Sequence, residues 1–303
     1  MSRAGLRGNL PLVLCALALA SMPYWAAPYP MQLASTALIA AMFALSSQIL
    51  TGATGLVSLA HAAFFGLGAY TVHWMGGASI LVTLPAAMLT AGLAAAAIGA
   101  LALRARGFYF LMTTLAFGQM LFFLFHDTPL GGGADGVFIA RPDLFWPVPR
   151  TARPAVFLWL NLGALSLMYL GLWTLMGTLF GHALSGIRVN EDRMRALGHD
   201  VQRLKLAAFI LAGALAGLAG HMAALTDAFV SPETLGWHRS AEALLMVLLG
   251  GIGALHGPIL GAFALTLIRD LGQSITERQR LVEGVLILAA VLLLRRGLAG
   301  GQR

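Results

Sequence analysis

The sequence predicts an all-α fold: a polytopic bundle of about nine or ten transmembrane helices, forming one membrane domain over residues 1–303. Hydrophobic residues make up 59% of the chain and charged residues only 10%, whereas soluble domains carry about 25% charged residues. Apolar runs near the length that crosses a bilayer recur along the chain. A lipid bilayer is therefore the expected environment of this chain.

Nine apolar stretches divide the chain, most of them long enough for one membrane crossing. They lie at Leu10–Ala27, Gln32–Leu50, Leu56–Met75, Ile80–Leu103, Phe108–Phe125, Ala155–Phe180, Leu206–Leu225, Ala241–Ile268 and Leu281–Leu294. We expect the first stretch to be an uncleaved helix rather than a signal peptide, because its apolar run continues and further spans follow.

The stretch Ala241–Ile268 is longer than the roughly 20 residues that one span needs. Its middle reads LGGIGALHGP and is rich in helix breakers. We expect a broken helix near residues 249–258, because two short helices return the basic tail after Leu294 to the side of the other basic loops. Irregular backbone at this depth is expected to pack within protein or to line a cavity.

Basic residues predict the orientation of the chain. With a cytoplasmic amino terminus, the cytoplasmic segments up to residue 240 hold nine Lys and Arg residues and the external segments hold four. The positive-inside rule then places residues 181–205 in the cytoplasm and the long loop 126–154 outside. A loop of that length is often functional, and here it would face a solute or its carrier. The basic residues that orient the chain also account for its net charge of +7, so no nucleic-acid partner is expected.

The segment 181–205, GHALSGIRVNEDRMRALGHDVQRLK, is a polar island between long apolar stretches. It predicts a short helix with Asn190 as N-cap, two acids in the first turn and Gly198 at the carboxyl end. A second amphipathic piece, Val201–Lys205, leads into the next span. Such a helix would fit a groove on a soluble partner. A solvated connector that only carries the positive-inside signal is the open alternative.

Motifs of catalysis and metal binding are missing from the sequence. The only lysine, Lys205, is followed by leucine, so there is no phosphate-binding loop of the GxxxxGK[ST] type. HExxH and CxxC are absent and the eight histidines are scattered. We therefore predict no catalytic residue, no metal site and no cofactor bound by this chain.

Small and polar residues within the apolar stretches are the candidates for a translocation path. A carboxylate inside a span is costly, so Glu242 either faces a cavity on the solute route or lies at the headgroup level in the first turn of a helix. The glycines around residue 52 either let helices pack closely or break a helix and expose carbonyls to a solute. The candidates are Gly52, Gly55, Ser58, His61, Glu242, Gly250, Gly251 and Gly253.

Five stretches together resemble the permease subunits of branched-chain amino-acid ABC importers, and most of all their M-type subunit. They are TGATGLVSLAHAAFFGLGAYT, RARGFYFLMTTLAFGQM, GGGADGV, IRVNEDRMRALGHDVQRLKLAAFILAGALAGLAG and SAEALLMVLLGGIGALHGPILGA. They cover most of the chain from Thr51 to Ala262. The resemblance implies that the island is the coupling loop that docks on an ATPase subunit. It assigns that role to Asn190, Glu191, Asp192, Arg193, Ala196, Leu197 and Gly198.

The resemblance also implies the partners and the location. These are ABC ATPase subunits that use ATP and Mg²⁺, a homologous second permease subunit and an external solute-binding protein, at the bacterial inner membrane. The chain would form the translocation path for branched-chain or related amino acids without catalysis of its own. The family that the chain resembles also includes importers of urea and of short amides, so these solutes remain alternatives. Two alternatives of other classes stay open. An ion-coupled secondary transporter would need buried titratable groups at mid-membrane, of which the sequence offers few. An intramembrane enzyme would need paired catalytic groups within one plane, which the scattered single histidines do not provide.

Overall fold

A computed structural model describes residues 15–76, 78–139 and 152–275, together with positions 284 and 298. The predicted final span, Leu281–Leu294, and the basic tail after it therefore lie almost wholly outside the described residues. So do the first residues of the predicted span Leu10–Ala27 and the middle of the predicted loop 126–154.

The described residues form a helical bundle, which confirms the predicted all-α class. Its α-helices are α1 (Cys15–Tyr24), α2 (Pro28–Gln48), α3 (His61–Trp74), α4 (Ile80–Ala102), α5 (Phe108–His126), α6 (Arg153–Met176), α7 (Leu179–Val189), α8 (Glu191–Ala196), α9 (Val201–Asp227), α10 (Trp237–Gly250) and α11 (Gly257–Ile275). Two strands of two residues each, β1 (Val137–Phe138) and β2 (Phe229–Val230), pair antiparallel. This pairing joins the start of the predicted external loop to the segment that follows α9.

Five of the described helices are long and apolar enough to cross a membrane: α4, α5, α6, α9 and the continuous helix Pro28–Thr54 that begins with α2. Within their most apolar windows, Pro28–Thr54 is 83% buried and α9 is 72% buried, whereas α5 is 22% buried. The first two are thus the central helices of the bundle, and α5 leaves most of its surface for lipid or a partner. The total of about nine or ten spans stays a prediction.

The predicted span Leu56–Met75 contains a shorter helix than its apolar length suggests. After α2, residues Ile49–Thr54 form a π-helical segment that ends at Gly55, whose φ of +75° favours glycine. Regular helix resumes only at His61. Hydropathy does not register this interruption, because the irregular residues are themselves mostly apolar. Segments of π-helix often mark functional positions.

The predicted break near residues 249–258 is confirmed. Helix α10 ends at Gly250, Gly251 turns the chain with a φ of +105°, and α11 begins at Gly257. The two helices form a hairpin alongside α2. Near one end of α2 the Tyr29 hydroxyl hydrogen-bonds Asp270 of α11, and at the other end Gln48 reaches the turn between α10 and α11.

Candidate functional site

The predicted polar island forms a compact module, which we call the 179–205 module: α7, α8 and the first turn of α9. Helix α7 buries one face through Ala183, Leu184 and Ile187. Helix α7 is not among the predicted helices, although apolar residues at positions 180, 183, 184 and 187 follow the helical spacing. The signal was present, but the charges and glycines around it obscured the pattern.

Helix α8 has the structure that its cap residues predict. The Asn190 side chain accepts a hydrogen bond from the Arg193 backbone N–H at 2.9 Å, and Gly198 follows the helix with a φ of +86°. Among the described residues of α8 none is buried. Asp192, Arg193, Ala196 and Leu197 all lie exposed, so this helix offers its side chains to a partner.

Glu191 is the anchor of α8. One carboxylate oxygen is 2.5 Å from Lys205 Nζ in the first turns of α9, and the other pairs with Arg195. Partial burial raises the pKa of Glu191, but the hydrogen bond and charge of Lys205, together with Arg195 and Arg106, outweigh it and hold the pKa below its ordinary value. The carboxylate is therefore ionised at neutral pH and ties α8 to α9.

A second tie joins the module to the first irregular segment of the bundle. The Arg188 guanidinium, at the end of α7, donates a hydrogen bond to the backbone carbonyl of Gly52 within the π-helical segment. Its side chain also passes beside Gly55. Gly52 and Gly55, predicted as path residues, thus lie against α7. The carbonyl that Arg188 holds belongs to the π-helical segment.

The two interruptions of the bundle meet at Gln48. Its amide nitrogen donates to the carbonyl of Ile252 at 2.7 Å, inside the α10–α11 turn, while its buried Oε1 has no hydrogen-bond partner among the described residues. Gln48, Gly52 and Gly253 line one cavity of about 210 Å³ that also touches Ser185 of α7. The structure thus brings two separately predicted glycines together. Sequence reasoning missed Gln48, whose signal is an amide inside an apolar run.

Ser58 and His61 occupy packed positions between helices. His61 is buried, its Nε2 lies 2.7 Å from Ser46 Oγ, and its ring stacks on Phe43. Ser58 is also buried, and its hydroxyl accepts a hydrogen bond from the Ala60 N–H at 3.3 Å. These contacts hold the start of α3 in place, which is the packing role of a core residue.

Gly250 and Gly251 lie at the junction of the α10–α11 hairpin. The two helices approach so closely there that a Cβ on Gly250 would overlap the backbone of Gly257. Both glycines shape the turn that presents the Ile252 carbonyl to Gln48.

Glu242 lies within the bundle and lines a cavity of about 180 Å³. Arg269 Nη2 approaches one of its carboxylate oxygens at 2.7 Å, and Arg239 Nη1 approaches the other at 3.1 Å. The neighbouring residue Ser240 is buried and accepts a hydrogen bond from the Ala62 N–H at the start of α3. Glu242 thus faces a cavity, while its depth in the membrane and its place on a solute route stay predictions.

The described residues hold no cluster of three or more His, Cys, Asp or Glu side chains that could bind a metal ion.

A family model and a curated relative each match most of the chain. Residues 29–293 match the family model described as branched-chain amino acid transport system / permease component. The chain is 31% identical over 302 residues to the high-affinity branched-chain amino acid transport system permease protein LivM of Escherichia coli (strain K12), covering 91% of this chain and 71% of the relative. No solved structure matches the chain.

More distant relatives match shorter stretches of the chain. It is 29% identical over 167 residues to the probable branched-chain amino acid transport permease protein LivM of Methanocaldococcus jannaschii, covering 54% of this chain and 47% of the relative. It is 34% identical over 143 residues to the autoinducer 2 import system permease protein LsrC of Enterobacter sp. (strain 638), covering 46% and 40%.

Proposed function

The chain belongs to the family of permease components of branched-chain amino acid transport systems, and we propose that it is the transmembrane subunit of an ATP-driven importer of branched-chain or related amino acids. It forms the translocation path and performs no covalent chemistry. Separate ABC ATPase subunits bind ATP and Mg²⁺ and supply the energy. The family match carries this proposal, and the 179–205 module supports its coupling mechanism.

The residues assigned to coupling fall into two groups: those that shape α8 and those whose exposed side chains can contact the ATPase. Asn190 caps the helix, Glu191 anchors it and Gly198 turns the chain after it. Asp192 has an 88% exposed side chain and Leu197 is 67% exposed. Leu197, like Val189 just before α8, is an apolar side chain in water, which suits the groove of a docking partner.

The internal ties give the module two routes into the bundle. A displacement of α8 is transmitted to α9 through the ion pair between Glu191 and Lys205. The same displacement is transmitted to the π-helical segment through α7 and the hydrogen bond from Arg188 to Gly52. From there Gln48 leads on to the α10–α11 turn. ATP-dependent movement of α8 would thereby rearrange both interruptions of the bundle and alternate access to the path.

The remaining partners follow from the same proposal. A homologous second permease subunit completes a pseudo-symmetric pair in the bacterial inner membrane. The amino terminus and the 179–205 module lie in the cytoplasm. An external solute-binding protein delivers the solute to the opposite face, where β1 and β2 join the predicted loop 126–154 to the end of α9.

Co-purification of the assembled transporter tests the docking surface. We expect Leu197→Glu to lose the ATPase subunits, because it places a charge on the exposed apolar contact. The matched control is Arg203→Glu, which changes another exposed side chain of the same module outside the predicted contact set. ATPase retention by Leu197→Glu equal to that of the control would show that the module is only a connector.

A further inference from the structure

A cluster of charged residues lies outside the contacts of the 179–205 module. Asp227 at the end of α9, Arg239 and Glu242 on α10, and Arg269 and Asp270 on α11 line the same cavity of about 180 Å³. A water molecule needs roughly 10–15 Å³ by this measure, so the cavity has room for a small solute. Ionisable residues at membrane depth are costly and usually functional.

Arg269 already holds a carboxylate in the geometry that suits a ligand carboxylate. Its Nη2 is 2.7 Å from Glu242 Oε1 and its Nη1 is 3.2 Å from Glu242 Oε2, so the two groups meet as parallel forks. Paired contacts of this kind are characteristic of arginine and are stronger than neutral hydrogen bonds. Arg239 adds a third contact to the same carboxylate at 3.1 Å.

The rest of the cavity lining is mostly apolar. Ile39, Ala40 and Phe43 of α2 line it together with Phe65 of α3 and Met246 of α10. The Arg239 guanidinium lies over the Phe65 ring at 5.7 Å from its centroid, so a charged and an apolar lining residue are in direct contact. A ligand that fits both kinds of lining residue has separated positive and negative groups at one end and a hydrocarbon side chain at the other.

We propose that this cavity is a binding site for an apolar α-amino acid in its zwitterionic form. The ligand carboxylate takes the place of Glu242 on Arg269, and the released Glu242 carboxylate receives the ligand ammonium group. Glu242 keeps its contact with Arg239, and its ion pair with Arg269 is exchanged for two ion pairs with the ligand. Because a zwitterion is neutral, no net charge is added to the site. The ligand side chain lies against the wall of Ile39, Phe43 and Phe65.

This inference rests on the proposed function and narrows its solute class. Urea and short amides carry no carboxylate, so they cannot replace Glu242 on Arg269. They would leave the internal ion pair in place and gain little from the charged wall. The site therefore favours amino acids over the uncharged alternatives, independently of any binding protein.

A thiol-protection experiment on the complete transporter in vesicles tests the site. Cys15, the only cysteine, is replaced by serine, and Thr36, an exposed residue lining the cavity, is replaced by cysteine as a reporter. We expect leucine to slow its labelling by a small hydrophilic thiol reagent. Leucinamide, which lacks the carboxylate, and isocaproate, which lacks the ammonium group, should need concentrations at least about tenfold higher.

Two controls separate local occupancy from a general change of shape. A second reporter, Thr234→Cys, lies outside the lining of the cavity, and leucine should leave its labelling unchanged. Arg269→Lys and Glu242→Gln should abolish protection at Thr36→Cys, whereas Glu233→Gln, an exposed acid outside the cavity, should keep it. Because the ligand analogues test the site with Arg269 and Glu242 unchanged, a folding defect of the variants at those two positions does not decide the outcome.

The outcomes are distinct for the two proposals. Equal protection by leucine, leucinamide and isocaproate, or no protection by leucine, overturns the zwitterion site. ATP-driven leucine uptake by the same vesicles reports the proposed function separately. Uptake without protection rejects only the site, and protection without uptake rejects only the ATP-driven import.

Discussion

Removing the charge of Glu191 should loosen α8 without unfolding the bundle. The carboxylate contacts Lys205, whose side chain is 12% exposed, while its own side chain is 27% exposed. Exposed ion pairs contribute about 0.2–1 kcal/mol, and breaking a buried pair costs about 3–5 kcal/mol. For this partly buried pair with a second cation, we expect Glu191→Gln to lower the local opening free energy by about 1–2 kcal/mol.

Amide hydrogen exchange on the assembled transporter measures this change. A loss of about 1–2 kcal/mol speeds exchange of the α8 amides by roughly 5- to 30-fold. Asp192→Asn is the matched control, since Asp192 lies in the same helix and makes only a long contact of 3.6 Å with Arg195. Its effect should stay near about 0.5 kcal/mol or below. Equal exchange rates for the two variants would refute the anchoring role of Glu191.

The pH dependence of the same ion pair follows from the lowered pKa of Glu191. A carboxylate with a lowered folded-state pKa stabilises the fold fully above its unfolded pKa of about 4.3. That stability is lost only as the pH falls through the lower folded-state pKa. Glu191 therefore contributes no pH dependence to exchange in α8 between about pH 6 and pH 8.

Two further predictions concern the other contacts of the 179–205 module. Arg188→Gln should preserve co-purification of the ATPase subunits but lower the amount of solute transported per ATP hydrolysed, because it weakens the hydrogen bond to the Gly52 carbonyl. The same amount of solute per ATP in Arg188→Gln and in the control Arg203→Gln would contradict this. Gly198→Ala should destabilise the end of α8 by about 1–2 kcal/mol, because alanine is strained in the left-handed backbone conformation of this position. No other atom lies within reach of a Cβ there, so steric overlap does not contribute. Gly198→Asn should cost less, and equal amide exchange rates for the two variants would reject the backbone explanation.

Local signals in the sequence predict α8 at the level of single residues. Asn190 and Gly198 are cap residues whose effect depends on a few neighbouring backbone groups, so a linear sequence contains what is needed. The break between α10 and α11 is predicted for the same reason, because glycine and proline act on their own backbone. Both elements are found where the sequence places them.

Contacts between distant segments cannot be predicted from local patterns in the sequence. Arg188 meets Gly52 across 136 positions, and Gln48 meets Ile252 across 204. Such contacts depend on which helices become neighbours, and hydropathy says nothing about that. The ambiguity of Glu242 had the same origin. Its position near the start of a helix was evident, but Arg269, its partner, comes from another helix.

Uptake of radiolabelled leucine by vesicles that contain the complete transporter tests the central claim most directly. Vesicles are loaded with ATP, and ionophores dissipate all ion gradients. We predict that uptake requires ATP, survives the loss of the gradients and is abolished by Leu197→Glu but not by Arg203→Glu. Uptake that follows an ion gradient in the absence of ATP would contradict the account and identify a secondary transporter.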